Sequence, residues 1–241
     1  MLTRWLSGGR KPVDERLLAD MNREFLSLSA QKRIERAAEL LPPKPVLTSS
    51  FGAQAAVMLH MTNAVIPRIP VILIDTGYLF PETYRFIDEL TARLNLNLKV
   101  FRSDVSPAWQ ESRFGKLWDQ GLKGIEKYNR LNKREPLEVA MRALDAGTWF
   151  AGLRRDQAAT RAYIAPIENK DGRYKVHPIF DWTDRDVGRY LAEHRLPYHP
   201  LWEKGYPSIG DWHTTRSLAE VDRVEDLRFF GLKRECGLHE T

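Results

Sequence analysis

At 241 residues, 43% hydrophobic and 29% charged, the chain has enough apolar material for one compact core and is not a wholly disordered polymer. Its single cysteine excludes any disulfide, Cys₄ iron–sulfur cluster or multi-cysteine zinc site within the chain. With 37 Lys and Arg against 32 Asp and Glu the formal charge is +5, dispersed except at a few clusters, which favours a small anion over nucleic acid as ligand. No apolar run approaches membrane-spanning length and the first residues lack a secretory pattern, so a soluble, cytoplasmic protein without a membrane partner is expected.

Residues 1–43 read as a helical appendage. Ser29 is placed to cap a segment with Ile34, Ala37, Ala38 and Leu41 at helical spacing, and Pro42-Pro43 stops it. From Pro45 short apolar runs at 46–50, 71–75, 98–102 and 148–151 alternate with helical stretches, one of them spanning 82–94 with Tyr84, Ile87 and Leu94 near one face. That alternation predicts an α/β domain with a parallel sheet, and continuously apolar strands such as Val71-Ile72-Leu73-Ile74 imply helices on both faces. Residues 106–146 read as mostly helical; a strand is expected at 174–179 and a helix from Asp184, capped by Thr183 with Asp186 at its third position. The core is expected to end near Arg195. A Pro- and Gly-rich stretch follows, and residues 222–241, set off from the α/β domain of 44–221, read as a mobile tail.

Four places carry chemistry. Ser49-Ser50-Phe51-Gly52-Ala53-Gln54 ends a strand in two hydroxyls and a glycine before an apolar helix, which makes an anion site, although a plain cap has the same composition. Neither a G-x-G-x-x-G nor a G-x-x-x-x-G-K-[ST] pattern occurs. Asp75-Thr76-Gly77-Tyr78 offers a carboxylate and a flexible turn to a ribose or purine edge, or a simple turn cap. Gly152-Leu153-Arg154-Arg155-Asp156-Gln157 presents two guanidiniums suited to phosphate; a solvated arginine pair is the alternative. Finally, Gly231-Leu232-Lys233-Arg234-Glu235-Cys236-Gly237-Leu238-His239 sets the sole thiol beside two cations, which favours the nucleophilic thiolate over a structural role; Cys236 and His239 can also be read as half a metal site.

Together these segments resemble the phosphoadenosine phosphosulfate (PAPS) reductases from about Val46 to His239. Ser49–Gln54 is similar to the family's modified PP-loop, Asp75-Thr76-Gly77-Tyr78-Leu79-Phe80-Pro81-Glu82-Thr83 to its second nucleotide segment, and Glu235-Cys236-Gly237-Leu238-His239 to its catalytic tail. The resemblance implies a Rossmann-like sheet of the adenine nucleotide alpha hydrolase (PP-loop) type. It also implies reduction of PAPS to sulfite and adenosine 3′,5′-bisphosphate in sulfate assimilation, through an S-sulfocysteine on Cys236. By the same resemblance the nucleotide lies against Ser49, Ser50, Gly52, Gln54, Asp75 and Gly77, and the phosphosulfate near Arg154, Arg155, Lys127 and Arg216. Tyr206 matches an active-site tyrosine, and Lys233, Arg234 and His239 offset the anionic charge near Cys236. A lone cysteine has no resolving partner, so two-electron reduction calls for an external dithiol, which the resemblance identifies as thioredoxin or glutaredoxin. The related adenosine phosphosulfate (APS) reductases hold a [4Fe–4S] cluster on four cysteines; the matching positions here are Tyr128, Asn129, Asp211 and Thr214, so no cluster and no bound cofactor or metal is expected and PAPS is favoured. A homodimer is implied as well. The rival readings are a PP-loop ATP pyrophosphatase or sulfate adenylyltransferase, which need no Cys236, and a binding or redox-sensing module that makes no sulfite; a nucleic-acid binder lacks its basic, aromatic-interleaved segment.

Overall fold

Alternation along a strand sends successive side chains to opposite faces, and that periodicity organises the fold. The computed structural model describes residues 15–170 and 172–232. Its sheet contains β1 (Val46–Thr48), β2 (Pro70–Ile74), β3 (Asn97–Phe101), β4 (Thr148–Phe150), β5 (Ile167–Lys170) and β6 (Arg173–Val176), in the order β3-β2-β1-β4-β6-β5. All neighbours are parallel except β5 and β6. Leu47, Val71, Leu73 and Phe150 point to the larger core, with residues of the helices α1 (Glu15–Phe25), α2 (Ala30–Leu40), α3 (Ala56–Val65), α4 (Pro81–Arg93) and α8 (Asp184–Glu193). Val46, Ile72, Ile74 and Trp149 point the other way, onto Leu137, Ala140 and Met141 of α7 (Glu135–Ala143). The expected helix-covered α/β sheet is therefore present, with strand ends within about three residues of expectation.

Three features depart from the sequence reading. Strand β5 was not expected: only Ile167 of its four residues is buried, because it is an edge strand paired on one side, so the apolar signal is absent. The helices at 15–40 are built into the main core through Met21, Phe25, Ile34 and Ala37. The packed body also continues past Arg195: Leu196, His199, Leu201, Ile209, Asp211, His213, Leu227 and Phe229 are all buried. A stop at Arg195 was expected because periodicity ends there, yet irregular backbone can bury side chains at wide spacing.

Between β3 and β4 the chain forms α5 (Pro107–Phe114), α6 (Gly121–Asn129) and α7, with a five-residue π turn at Arg130–Arg134 joining the last two. The wider turn places consecutive residues Asn132 and Lys133 inside the protein, which matters below.

Candidate active site

The sheet order reverses at β1, which lies between β2 and β4, and ligands of open α/β sheets bind beyond the strand ends at such a switch point. An open cavity of ≈ 440 Å³ lies there. The segment after β1 supplies Ser49, Ser50, Gly52 and Gln54; the segment after β4 supplies Gly152, Arg154, Gln157 and Arg161; Asp184 comes from the start of α8, and Pro207, Ser208, Ile209, Leu227 and Arg228 close the far wall.

In the first of these segments the Ser49 hydroxyl accepts from Phe51 N–H at 3.1 Å, holding Phe51 at φ 50°. The amides of Gly52 and Ala53 have no acceptor among the described residues, so they remain available to an anion at the start of α3. Arg154 is 3% exposed; its Nη2 donates to Gln54 Oε1 at 2.8 Å and Asp184 Oδ1 at 2.7 Å, and its Nη1 to Trp182 O at 3.2 Å. Burial works against the Asp184 charge, but the hydrogen bonds from Arg154 and Gln54 outweigh it and hold the carboxyl below its ordinary range. Arg154 therefore reaches the cavity already neutralised.

A cation without such a counter-charge is Arg228. It is 6% exposed, its Nη1 donates to Ser208 Oγ at 3.3 Å, its Nε has no partner and it forms no ion pair among the described residues. The backbone of Gly210 leaves room for that guanidinium, with which a Cβ would collide. Sequence reasoning missed Arg228; the available signal was a lone cation inside Leu227-Arg228-Phe229-Phe230, just before Gly231.

Of the residues expected at the site, the structure brings Ser49, Ser50, Gly52, Gln54 and Arg154 to this cavity; Asp75, Gly77, Lys127, Arg155, Arg216 and Tyr206 do not line it. Asp75 Oδ1 accepts from Gly77 N–H at 2.9 Å and Tyr84 O–H at 2.8 Å, the geometry of a turn cap. Gly77 has φ 76°, and a Cβ there would lie 2.6 Å from Pro107 Cγ. Lys127 Nζ sits 3.5 Å from the Phe114 ring centroid. Arg216 donates to Thr215 O at 3.0 Å and lies over Phe230, while the Tyr206 hydroxyl faces Glu220 at 3.4 Å and its ring meets Phe80. Arg155 points away from the cavity, to Ile164 O and the Phe180 ring. Lys233, Arg234, Cys236 and His239 lie outside the described residues.

Behind the far wall, Lys133 Nζ and Asp211 Oδ2 form an ion pair at 2.7 Å, with side-chain exposures of 6% and 2%. Thr76 Oγ1 donates to the other carboxylate oxygen at 2.5 Å. Burial opposes the Asp211 charge, yet Lys133 and Thr76 keep the carboxyl below its ordinary range. Lys133 also lies 5.4 Å from the Tyr128 ring centroid and 5.1 Å from that of Phe229. His213 stacks on Trp118 at 3.8 Å, and burial pushes its pKa down to about 4. Tyr128, Asn129, Asp211 and Thr214, the positions compared above with cluster cysteines, are all buried, and Asp211 is one member of this pair. Among the described residues no group of three or more His, Cys, Asp or Glu side chains is placed to hold a metal ion, and no helix is long and apolar enough to cross a membrane.

Comparison with known proteins gives these observations a frame. The profile of the phosphoadenosine phosphosulfate reductase domain matches residues 44–217. The phosphoadenosine 5′-phosphosulfate reductase of Alkalilimnicola ehrlichii is 59% identical over 223 residues, 92% of this chain and 91% of that protein. The enzyme of the same name from Salmonella choleraesuis is 59% identical over the same shares. Among solved structures, a phosphate complex of PAPS reductase from Candida auris superposes with a TM-score of 0.75 at 28% identity, covering 86% of this chain and all of that one. FMN adenylyltransferase of Candida glabrata, at 14% identity and a TM-score of 0.55 over 94% of this chain and 82% of that one, shares the fold alone. A profile match over most of the chain, relatives of this identity along nearly their whole length, and a cavity at the expected switch point establish that the chain belongs to the phosphoadenosine phosphosulfate reductase family.

Proposed function

We propose that this protein reduces PAPS to sulfite and adenosine 3′,5′-bisphosphate in sulfate assimilation, with reduced thioredoxin or glutaredoxin as electron donor. The observation that carries the reading is the cavity itself, which joins amides at the start of α3, without an acceptor among the described residues, to a buried arginine, Arg228, without a counter-charge among them. Phosphate and sulfuryl oxygens are matched by such donors. The relatives' shared name supplies the substrate.

In this reading the Cys236 thiolate attacks the sulfur of the sulfuryl group, and the bond from that sulfur to the phosphate oxygen breaks. Adenosine 3′,5′-bisphosphate leaves with that bond's electrons, and Cys236 carries –SO₃⁻. A thioredoxin thiolate then attacks the Cys236 sulfur, and sulfite departs with the sulfur–sulfur electron pair. The second thioredoxin thiol resolves the mixed disulfide, so the dithiol supplies both electrons and loses two protons. Arg154, held by Asp184, orients Gln54 at the cavity, and Arg228 offsets the approach of two anions. Lys233, Arg234, His239 and Tyr206 are assigned to the same charge balance and to holding the thiolate. A cytoplasmic homodimer without nucleic-acid or membrane partners belongs to this reading.

The test is intact-protein mass spectrometry of the reduced protein mixed with PAPS, followed by a thioredoxin chase. The expected result is one SO₃ adduct on the Cys236 peptide, lost on the chase as sulfite appears, and none in Cys236→Ser. Turnover by Cys236→Ser would overturn the reading in favour of nucleotidyl transfer.

A further inference from the structure

The segment from Arg155 to Ile164 leaves the sheet and returns, and it brings Asp156, Gln157 and Arg161 to the cavity. A short excursion of this kind, built from two single-turn 3₁₀ helices, has little packing of its own. Its two ends are joined by one side chain. Arg155 Nε and Nη2 both donate to Ile164 O, at 3.1 and 2.8 Å, and Arg155 N–H donates to Phe180 O at 2.8 Å.

The guanidinium lies 4.6 Å from the Phe180 ring centroid, and a second guanidinium, that of Arg33, lies 4.5 Å from the same ring. Arg33 is itself immobilised: it grips Asp181 through two contacts of 2.6 Å and donates to Pro178 O at 2.8 Å and Phe25 O at 2.7 Å. Phe180 is 1% exposed. The chain of contacts thus runs from the core helices through Arg33 and Phe180 to Arg155, and from there to the far end of the loop.

We propose that Arg155 is a positioning residue, a clasp that closes the 155–164 loop and so sets Gln157 and Arg161 at the cavity without touching the ligand. Arginine suits this role because its planar fork meets one carbonyl with two N–H groups while its face stacks on a ring; lysine retains the charge but neither property. The proposal rests on the reading of the cavity as a nucleotide site only for its binding readout.

The test compares wild type, Arg155→Lys and Phe180→Leu by amide hydrogen exchange of residues 156–164 in the unliganded protein, with β2 as internal control, and by calorimetric titration with adenosine 3′,5′-bisphosphate. A clasp predicts that both variants speed exchange in the loop about tenfold, as expected for loss of about one net hydrogen bond, leave β2 unchanged and weaken binding severalfold. Weaker binding by Arg155→Lys with wild-type exchange would make Arg155 a direct anion contact and overturn the proposal; wild-type exchange and binding together would overturn it equally. Should Phe180→Leu accelerate exchange in β2 as well, Arg155→Lys decides alone. If wild type fails to bind the bisphosphate, the functional reading falls, and the exchange comparison still judges the clasp.

Discussion

Replacing Asp211 by Asn strands the Lys133 ammonium in a site where its side chain is 6% exposed. Breaking one side of a buried pair costs about 3–5 kcal/mol. In Lys133→Met the stranded carboxyl limits that cost by taking up a proton: at pH 7 Asp211 can do so for about 4.2 kcal/mol from an ordinary pKa near 3.9. The folded state of that variant then holds an extra proton, so its deficit shrinks as pH falls, by up to about 1.4 kcal/mol per pH unit. For a chain of this size the thermal midpoints at pH 7 should drop by roughly 6–20 °C, and the double variant Lys133→Met/Asp211→Asn should lie closer to wild type than either single one. Urea unfolding followed by tryptophan fluorescence at pH 6, 7.5 and 9, expressed relative to wild type, measures this. A Lys133→Met deficit that is equal at all three pH values, or that shrinks as pH rises, would refute the account.

Gly210→Ala should displace the Arg228 guanidinium and weaken adenosine 3′,5′-bisphosphate binding about tenfold, the loss of one charged hydrogen bond; unchanged affinity in calorimetry would detach Arg228 from the ligand. Gly77→Ala, at φ 76° and facing Pro107, should lose about 1–3 kcal/mol by urea unfolding, and an unshifted midpoint would show that Pro107 yields. Burial pushes the pKa of His177 down to about 3 and those of His199 and His213 to about 4. The folded state therefore binds fewer protons than the unfolded one, so stability present above about pH 6.5 is lost as pH falls toward 4. Urea midpoints at pH 7, 6 and 5 should decline in that order; a flat profile contradicts the burial argument.

What the sequence disclosed depended on the range of the signal. Capping by Ser29 and Thr183 is encoded within four residues, and both caps are formed as expected. The Val71–Ile74 run marked a strand covered on both faces, which it is. The Ser49–Gln54 and Arg154 segments reach one cavity because each follows a strand at the switch point, a consequence of topology that strand order implies. Arg155 and Lys127 were opaque for another reason. A cation beside a ligand loop and a cation turned onto Phe180 or Phe114 have the same local sequence, and only the long-range partner distinguishes them. Asp211 carries no signal at all, since its partners Lys133 and Thr76 are 78 and 135 residues away.

The burial of Leu227, Arg228 and Phe229 fixes the root from which the C-terminal residues leave. From Leu232 to Cys236 is a span of four residues, which fully extended reaches about 14 Å. A group confined to a sphere of that radius is present at roughly 0.1 M, a figure that follows from the tether length alone. Under the proposed mechanism that reach bounds how far Cys236 can stand from Leu232, and a few glycines inserted after Leu232 should lower turnover while Leu227, Arg228 and Phe229 stay buried as they are.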